Sequence, residues 1–109
     1  MGMIMTYAAI EPTRAAVDAL DGPTVIEFGT SWCGVCRATQ PLIAAALADR
    51  PDVHHLKIED GPGRPLGRSF RVKLWPTLIL LRDGKEVARL VRPRDARAIE
   101  QALAQIDPA

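Results

Sequence analysis

The sequence predicts an α/β fold in which a central mixed β-sheet is flanked by helices on both faces. Two observations carry that expectation. Short β-branched and aromatic runs at residues 24–29 (TVIEFG) and 53–59 alternate with segments of helical periodicity, the pattern of parallel strands joined through helices. The later runs, 77–81 and 86–91, are instead separated by the turn pair Asp83-Gly84, which predicts an antiparallel hairpin.

The elements follow in order. Residues 3–8 are a candidate extra strand. Residues 11–20 read as a first helix, with Pro12 at an early helical position and Ala15, Ala16, Ala19 and Leu20 on its buried side. Asp21-Gly22-Pro23 stops it. The strand at 24–29 carries a charged Glu27 within its apolar run. A helix over 32–50 has an apolar face of Leu42, Ile43, Ala46 and Leu47, and Pro41 inside it is expected to bend it. After the strand at 53–59, residues 61–67 (GPGRPLG) read as a loop, with a short helix following through Phe70. Ala96, Ile99, Leu103 and Ile106 form the stripe of a last helix starting near Pro93.

The length of 109 residues fits one domain over 1–109, and 48% hydrophobic with 25% charged residues suits a globular core without disulfide staples. A net charge of +1 gives no basis for nucleic-acid binding. The charge is uneven: residues 1–55 hold three Lys/Arg against six Asp/Glu, residues 56–109 eleven against seven. A mixed solvated surface accounts for most of this. The sharper alternative is a basic rim of Arg71, Lys73, Arg92 and Arg94 that favours acidic partners. No run reaches membrane-helix length and no positive n-region opens the chain, so a cytoplasmic location is expected. In that compartment two cysteines point to catalysis, redox sensing or metal binding before structure.

Trp32-Cys33-Gly34-Val35-Cys36 sits where a strand gives way to a helix. Free N–H groups and the helix dipole at that point favour negative charge, and the thiolate is the nucleophile. Cys33 is therefore the expected attacking thiol. Cys36, one turn further in, is the expected resolving thiol. A C-x-x-C is also half a zinc site, with His54 and His55 as conceivable partners. Adjacent strand histidines point to opposite faces, however, which weighs against zinc, and no metal is expected.

Val25-Ile26-Glu27-Phe28, the W-C-G-V-C motif, Pro41, Trp75-Pro76-Thr77 and Asp83-Gly84 resemble the thioredoxin family in order and spacing, over about residues 4–106. The resemblance implies the thioredoxin fold and a thiol–disulfide oxidoreductase that reduces or exchanges protein disulfides through a Cys33–Cys36 couple. It implies a role in electron transport and cell redox homeostasis without an organic cofactor, and recharging by an NADPH-dependent thioredoxin reductase. By the same resemblance Pro76 follows a cis peptide bond beside the disulfide, where backbone groups of Trp75 pair with substrate. Trp32, Gly34 and Val35 belong to the same substrate-binding surface, and Pro41 supports the helix. Glu27 matches a buried acid, usually Asp in the family, that exchanges a proton with the resolving cysteine. A carboxyl inside a buried strand is expected to have a raised pKa and to act as a general base. His55 falls where the family often has a Lys near that acid, and is expected to make the site titrate near physiological pH.

The sequence departs from the family at three places. Val35 replaces the usual proline, which predicts a potential more oxidising than the ~−270 mV of thioredoxin. Trp75 is bulkier than the residue common before the proline, and narrows the groove or offers an aromatic platform. Arg92-Pro93 stands where many members have a glycine, and a charge there excludes some partners and selects others. Two other readings stay open: an electron donor dedicated to one acceptor enzyme, and a thioredoxin-fold binding module with little catalysis. A monomer is expected.

Overall fold

The computed structural model describes residues 6–107. Four strands, β1 (Pro23–Gly29), β2 (His54–Glu59), β3 (Thr77–Arg82) and β4 (Lys85–Val91), alternate with α1 (Arg14–Asp18), α2 (Gly34–Leu47), α3 (Pro65–Ser69) and α4 (Ala96–Ala104). The sheet order is β2-β1-β3-β4, with β1 parallel to β2 and antiparallel to β3, and β3 antiparallel to β4. This is the mixed sheet expected from the sequence. Residues 3–5 of the candidate first strand lie outside the described residues; residues 6–8 form no strand, although the Ala8 N–H donates to the Lys57 carbonyl at 2.8 Å.

Side-chain alternation along the central strands divides the core in two. Val25, Leu78 and Leu80 face Ile43, Ala46 and Leu47 of α2 and Ile99, Ala102 and Leu103 of α4. Ile26, Phe28, Ile79 and Leu81 face the other way, onto Val17 of α1, Leu66 of α3 and Phe70. Ile106, just beyond the end of α4, completes the apolar stripe and is fully buried. At the hairpin, Asp83 and Gly84 both take positive φ, 51° and 78°, as a tight turn between twisted strands requires. Gly84 is required twice over, because a Cβ there would stand 2.0 Å from the Asp18 carbonyl oxygen.

Two helices differ from expectation. α1 is five residues long and buries only Val17; Ala15, Ala16 and Ala19 are exposed and Leu20 is half-buried. The helix starts at Arg14, so Pro12 lies outside it, and Thr13 caps it, its hydroxyl accepting from the Ala16 N–H at 3.0 Å. α3 begins at Pro65, inside the Gly/Pro-rich segment read as a loop, because a proline at the first helical position loses no helical hydrogen bond.

Candidate active site

β1 ends at Gly29, and four residues later Cys33 caps α2. Its backbone is extended (φ −84°, ψ 117°), which turns the side chain back over the helix end, and its sulfur accepts a hydrogen bond from the Cys36 N–H at 3.1 Å. An N–H aimed at sulfur stabilises negative charge on it. Both cysteines are free thiols, Cys33 half-buried and Cys36 only 2% exposed. Burial, reinforced by the hydrogen bond with Cys33 and the neighbouring charge of Glu27, pushes the Cys36 thiol up to about 11. The amide of Thr30, hydrogen-bonded to the same sulfur, opposes part of that rise. The two thiols are thus unequal in access and in surroundings.

Beneath Cys36 the sheet presents charge. The pleat places Glu27 on the α2 face together with Val25, and the parallel register sets His55 opposite Val25 and Lys57 opposite Glu27. His55 Nε2 lies 3.0 Å from Glu27 Oε1, while Lys57 Nζ, at 3.0 Å, and Gln40 Nε2, at 2.6 Å, donate to Oε2. Lys57 also donates to Gln40 Oε1 at 2.8 Å, and Gln40 Nε2 reaches the Cys36 carbonyl at 3.0 Å. The Glu27 and His55 side chains are fully buried. Burial alone would raise the Glu27 carboxyl, as the sequence led us to expect. The hydrogen bonds from His55 and Gln40, with the charge of Lys57, outweigh it, and Glu27 is held below the ordinary glutamate value. The expectation of a raised carboxyl is corrected accordingly: Glu27 is a buried carboxylate. His54, on the opposite side of the strand, is exposed.

The rim is built by the β3 end of the sheet. The Trp75–Pro76 peptide is cis, in line with the family resemblance. Trp75 stacks edge-on against Trp32, with ring centroids 5.4 Å apart at 79°, and its indole Nε1 donates to Asp60 Oδ2 at 2.8 Å. Trp32 is 71% exposed, and Val35, Leu74 and Val91 are exposed apolar side chains as well. Gly34 is exposed at the first helical position of α2, and Pro41 lies on the exposed side of that helix. Arg92, at a φ of 51°, donates from Nε to the Trp75 carbonyl at 2.8 Å, and its N–H donates to the Pro76 carbonyl at 3.0 Å. The Trp75 carbonyl, one of the backbone groups expected to pair with substrate, thus already accepts one hydrogen bond from Arg92. Arg71 and Lys73 instead line a separate cleft of about 370 Å³ with Asp60, Arg64 and Arg68.

Sequence reasoning missed Gln40, Lys57 and Asp60. Gln40 lies four residues after Cys36 on α2, and Lys57 two residues after His55 on β2, so their shared faces were legible once the elements were known. Asp60 had no local signal, since its contact with Trp75 joins two separate segments.

The Thioredoxin family profile matches residues 9–105. The chain belongs to the thioredoxin family. It is 36% identical over 85 residues to the thioredoxin of Chlamydia trachomatis, covering 77% of this chain and 82% of that one. It is 31% identical over 106 residues to the thioredoxin of Mycobacterium tuberculosis, covering 93% and 91%. The solved structure of reduced thioredoxin 2 from Pseudomonas aeruginosa is 58% identical, with a TM-score of 0.84 over 94% of each chain. As a thioredoxin-family member with the paired cysteines in place, this chain is a thiol–disulfide oxidoreductase whose substrates are protein disulfides. No helix among the described residues is long and apolar enough to cross a membrane.

Proposed function

We propose that Cys33 attacks the substrate disulfide and Cys36 resolves the resulting mixed disulfide, releasing the substrate as a dithiol and leaving a Cys33–Cys36 disulfide. The observation that carries this assignment is the contrast between the two sulfurs. Cys33 is the accessible one and receives an N–H at the helix end, while Cys36 is buried, one turn inward, and held as a thiol. Glu27, as a carboxylate beneath α2, is the acceptor for the Cys36 proton, and His55, Lys57 and Gln40 keep it ionised.

Trp32, Val35 and Trp75 form the apolar surface on which the substrate segment lies, with Gly34 leaving its approach to Cys33 open and Pro76 forming the wall opposite. Arg92, bound to the Trp75 carbonyl, sets partner choice by leaving that acceptor only to chains that displace or accommodate it. The working cycle is closed by an NADPH-dependent thioredoxin reductase in the cytoplasm. The protein acts there as a single-domain monomer in electron transport and redox homeostasis, without cofactor, metal, nucleic acid or membrane. Val35 makes its potential less reducing than that of proline-containing members.

Equilibration in buffers of graded thiol–disulfide poise, read by tryptophan fluorescence, tests the assignment. Trp32 adjoins Cys33 and contacts Trp75, so the signal reports the couple. A reversible two-electron transition is expected, and Cys33→Ser is expected to abolish both it and turnover. Persistence of the transition in Cys33→Ser would sink the proposal.

A further inference from the structure

Tyr7 lies before the first element, far in sequence from the cysteines, yet its side chain reaches the resolving sulfur. The two meet over the bare face of Gly29. A Cβ at that position would lie 2.6 Å from Cys36 Sγ and 3.0 Å from the Tyr7 hydroxyl, so the glycine leaves the space in which both groups sit. The hydroxyl and the sulfur therefore share one small space above the Gly29 backbone. Lys57 fixes the ring from the other side, its Nζ 4.7 Å from the ring centroid while it also binds Glu27 and Gln40. Tyr7, Cys36, Gln40 and Lys57 all line a cleft of about 390 Å³.

We propose that Tyr7 is a further catalytic residue, whose hydroxyl donates a hydrogen bond to the Cys36 sulfur as that sulfur becomes the attacking thiolate of the resolving step. The inference rests on the assignment of Cys36 as resolving thiol. In that step Cys36 attacks the Cys33 sulfur: the Cys33–Cys36 bond forms, and the bond from Cys33 to the substrate sulfur breaks. The substrate sulfur leaves with the electron pair, and the proton given up by Cys36 passes to Glu27 and from there to the departing sulfur. Tyr7 keeps its own proton throughout. Burial, together with the negative charge of Cys36, Glu27 and Cys33, pushes its phenol well above the ordinary tyrosine value, so it remains a donor at any working pH. The chemical logic favours a donor here. The sulfur is buried and otherwise disposed to stay a thiol, and a hydrogen bond that strengthens as charge develops acts on the reacting state.

The test is stopped-flow reaction of the dithiol protein with the aryl disulfide dithionitrobenzoate, which releases one thionitrobenzoate when Cys33 attacks and a second when Cys36 resolves. In Tyr7→Phe the first release is expected to be unchanged. The second is expected to slow about threefold at neutral pH: loss of one charge-assisted hydrogen bond cuts the thiolate about tenfold, and the higher nucleophilicity of a more basic sulfur returns about threefold. Tyr7→Leu, which also removes the ring beneath Lys57, separates hydroxyl from packing. If Phe keeps the wild-type second phase and only Leu slows it, the proposal is overturned. A second readout needs no variant, because Tyr7 is the sole tyrosine of the chain. Its ring ¹³Cζ resonance is expected to move between the dithiol and disulfide forms, and an unmoved resonance counts against the contact. Should the wild type itself release only one thionitrobenzoate, the assignment of Cys36 fails, and with it this inference. Two releases at wild-type rates in Tyr7→Phe sink the role of Tyr7 alone.

Discussion

On the face of the sheet that packs against α1 and α3, Ile26, Phe28, Ile58, Ile79 and Leu81 form one apolar cluster with Val17, Leu66 and Phe70. On the α2 side, the same strands set Glu27, His55 and Lys57 beside Val25, Leu78 and Leu80. Each fully buried aliphatic or aromatic side chain on the first face contributes about 1.5–3 kcal/mol to stability. On the second face, desolvation of three ionisable groups offsets much of what their contacts return, and the network is tolerable because both Glu27 oxygens are engaged. The contrast teaches that one side of the sheet secures the fold, and so leaves the other free to hold buried charge under the reactive helix.

This division can be broken from either side. The largest effect is expected for Leu81→Ala, on the apolar face and at the strand end away from Pro76. It should cost about 2–5 kcal/mol in urea unfolding while turnover per folded molecule stays near wild type. A comparable loss of turnover would show that the two faces are not separable.

Glu27→Gln is expected to cost less, about 1–3 kcal/mol near neutral pH, through loss of its charged hydrogen bonds. The pH dependence sharpens the point. Because the folded carboxyl is held below the ordinary value of 4.5, its contribution to stability is present above that value and lost as the pH falls through the lowered one. Urea midpoints measured downward from pH 4.5 should therefore fall more steeply for the wild type than for Glu27→Gln, with the difference between them narrowing in acid. Parallel curves would mean that Glu27 is not held as a carboxylate. The smallest effect belongs to the periphery. Asp95, whose side chain accepts the Ala98 N–H at 2.8 Å, caps α4, and Asp95→Ala should cost about 1 kcal/mol in thermal or urea unfolding with the redox midpoint unmoved.

Much of this architecture was legible in the residues. The β-branched runs located all four strands to within a residue or so, and Asp83-Gly84 located the hairpin, because pleat alternation and positive-φ turns leave local marks. The cysteine pair was equally plain, since a strand end, C-x-x-C and a helix follow one another directly in sequence. The alanines of α1 satisfy helical periodicity without being large enough to demand burial, so the pattern extends beyond the five residues that are helical. The start of α3 is hidden because glycine and proline signal a loop unless the proline falls at a first helical position, as Pro65 does.

The amino-acid sequence by itself determined the cysteine pair at a strand-to-helix junction and the face of its strand on which Glu27 lies, because both follow from identity and period. Only the tertiary structure decided their state. Glu27 reads as a raised acid from its own strand, and becomes a held carboxylate once β2 brings His55 and Lys57, and α2 brings Gln40, within 3.0 Å. Likewise Tyr7 reaches Cys36, and Arg92 the Trp75 carbonyl, across separations that no local pattern records. The reason is physical. A charge buried alone and a charge buried among donors differ by their partners, and partners are a property of packing.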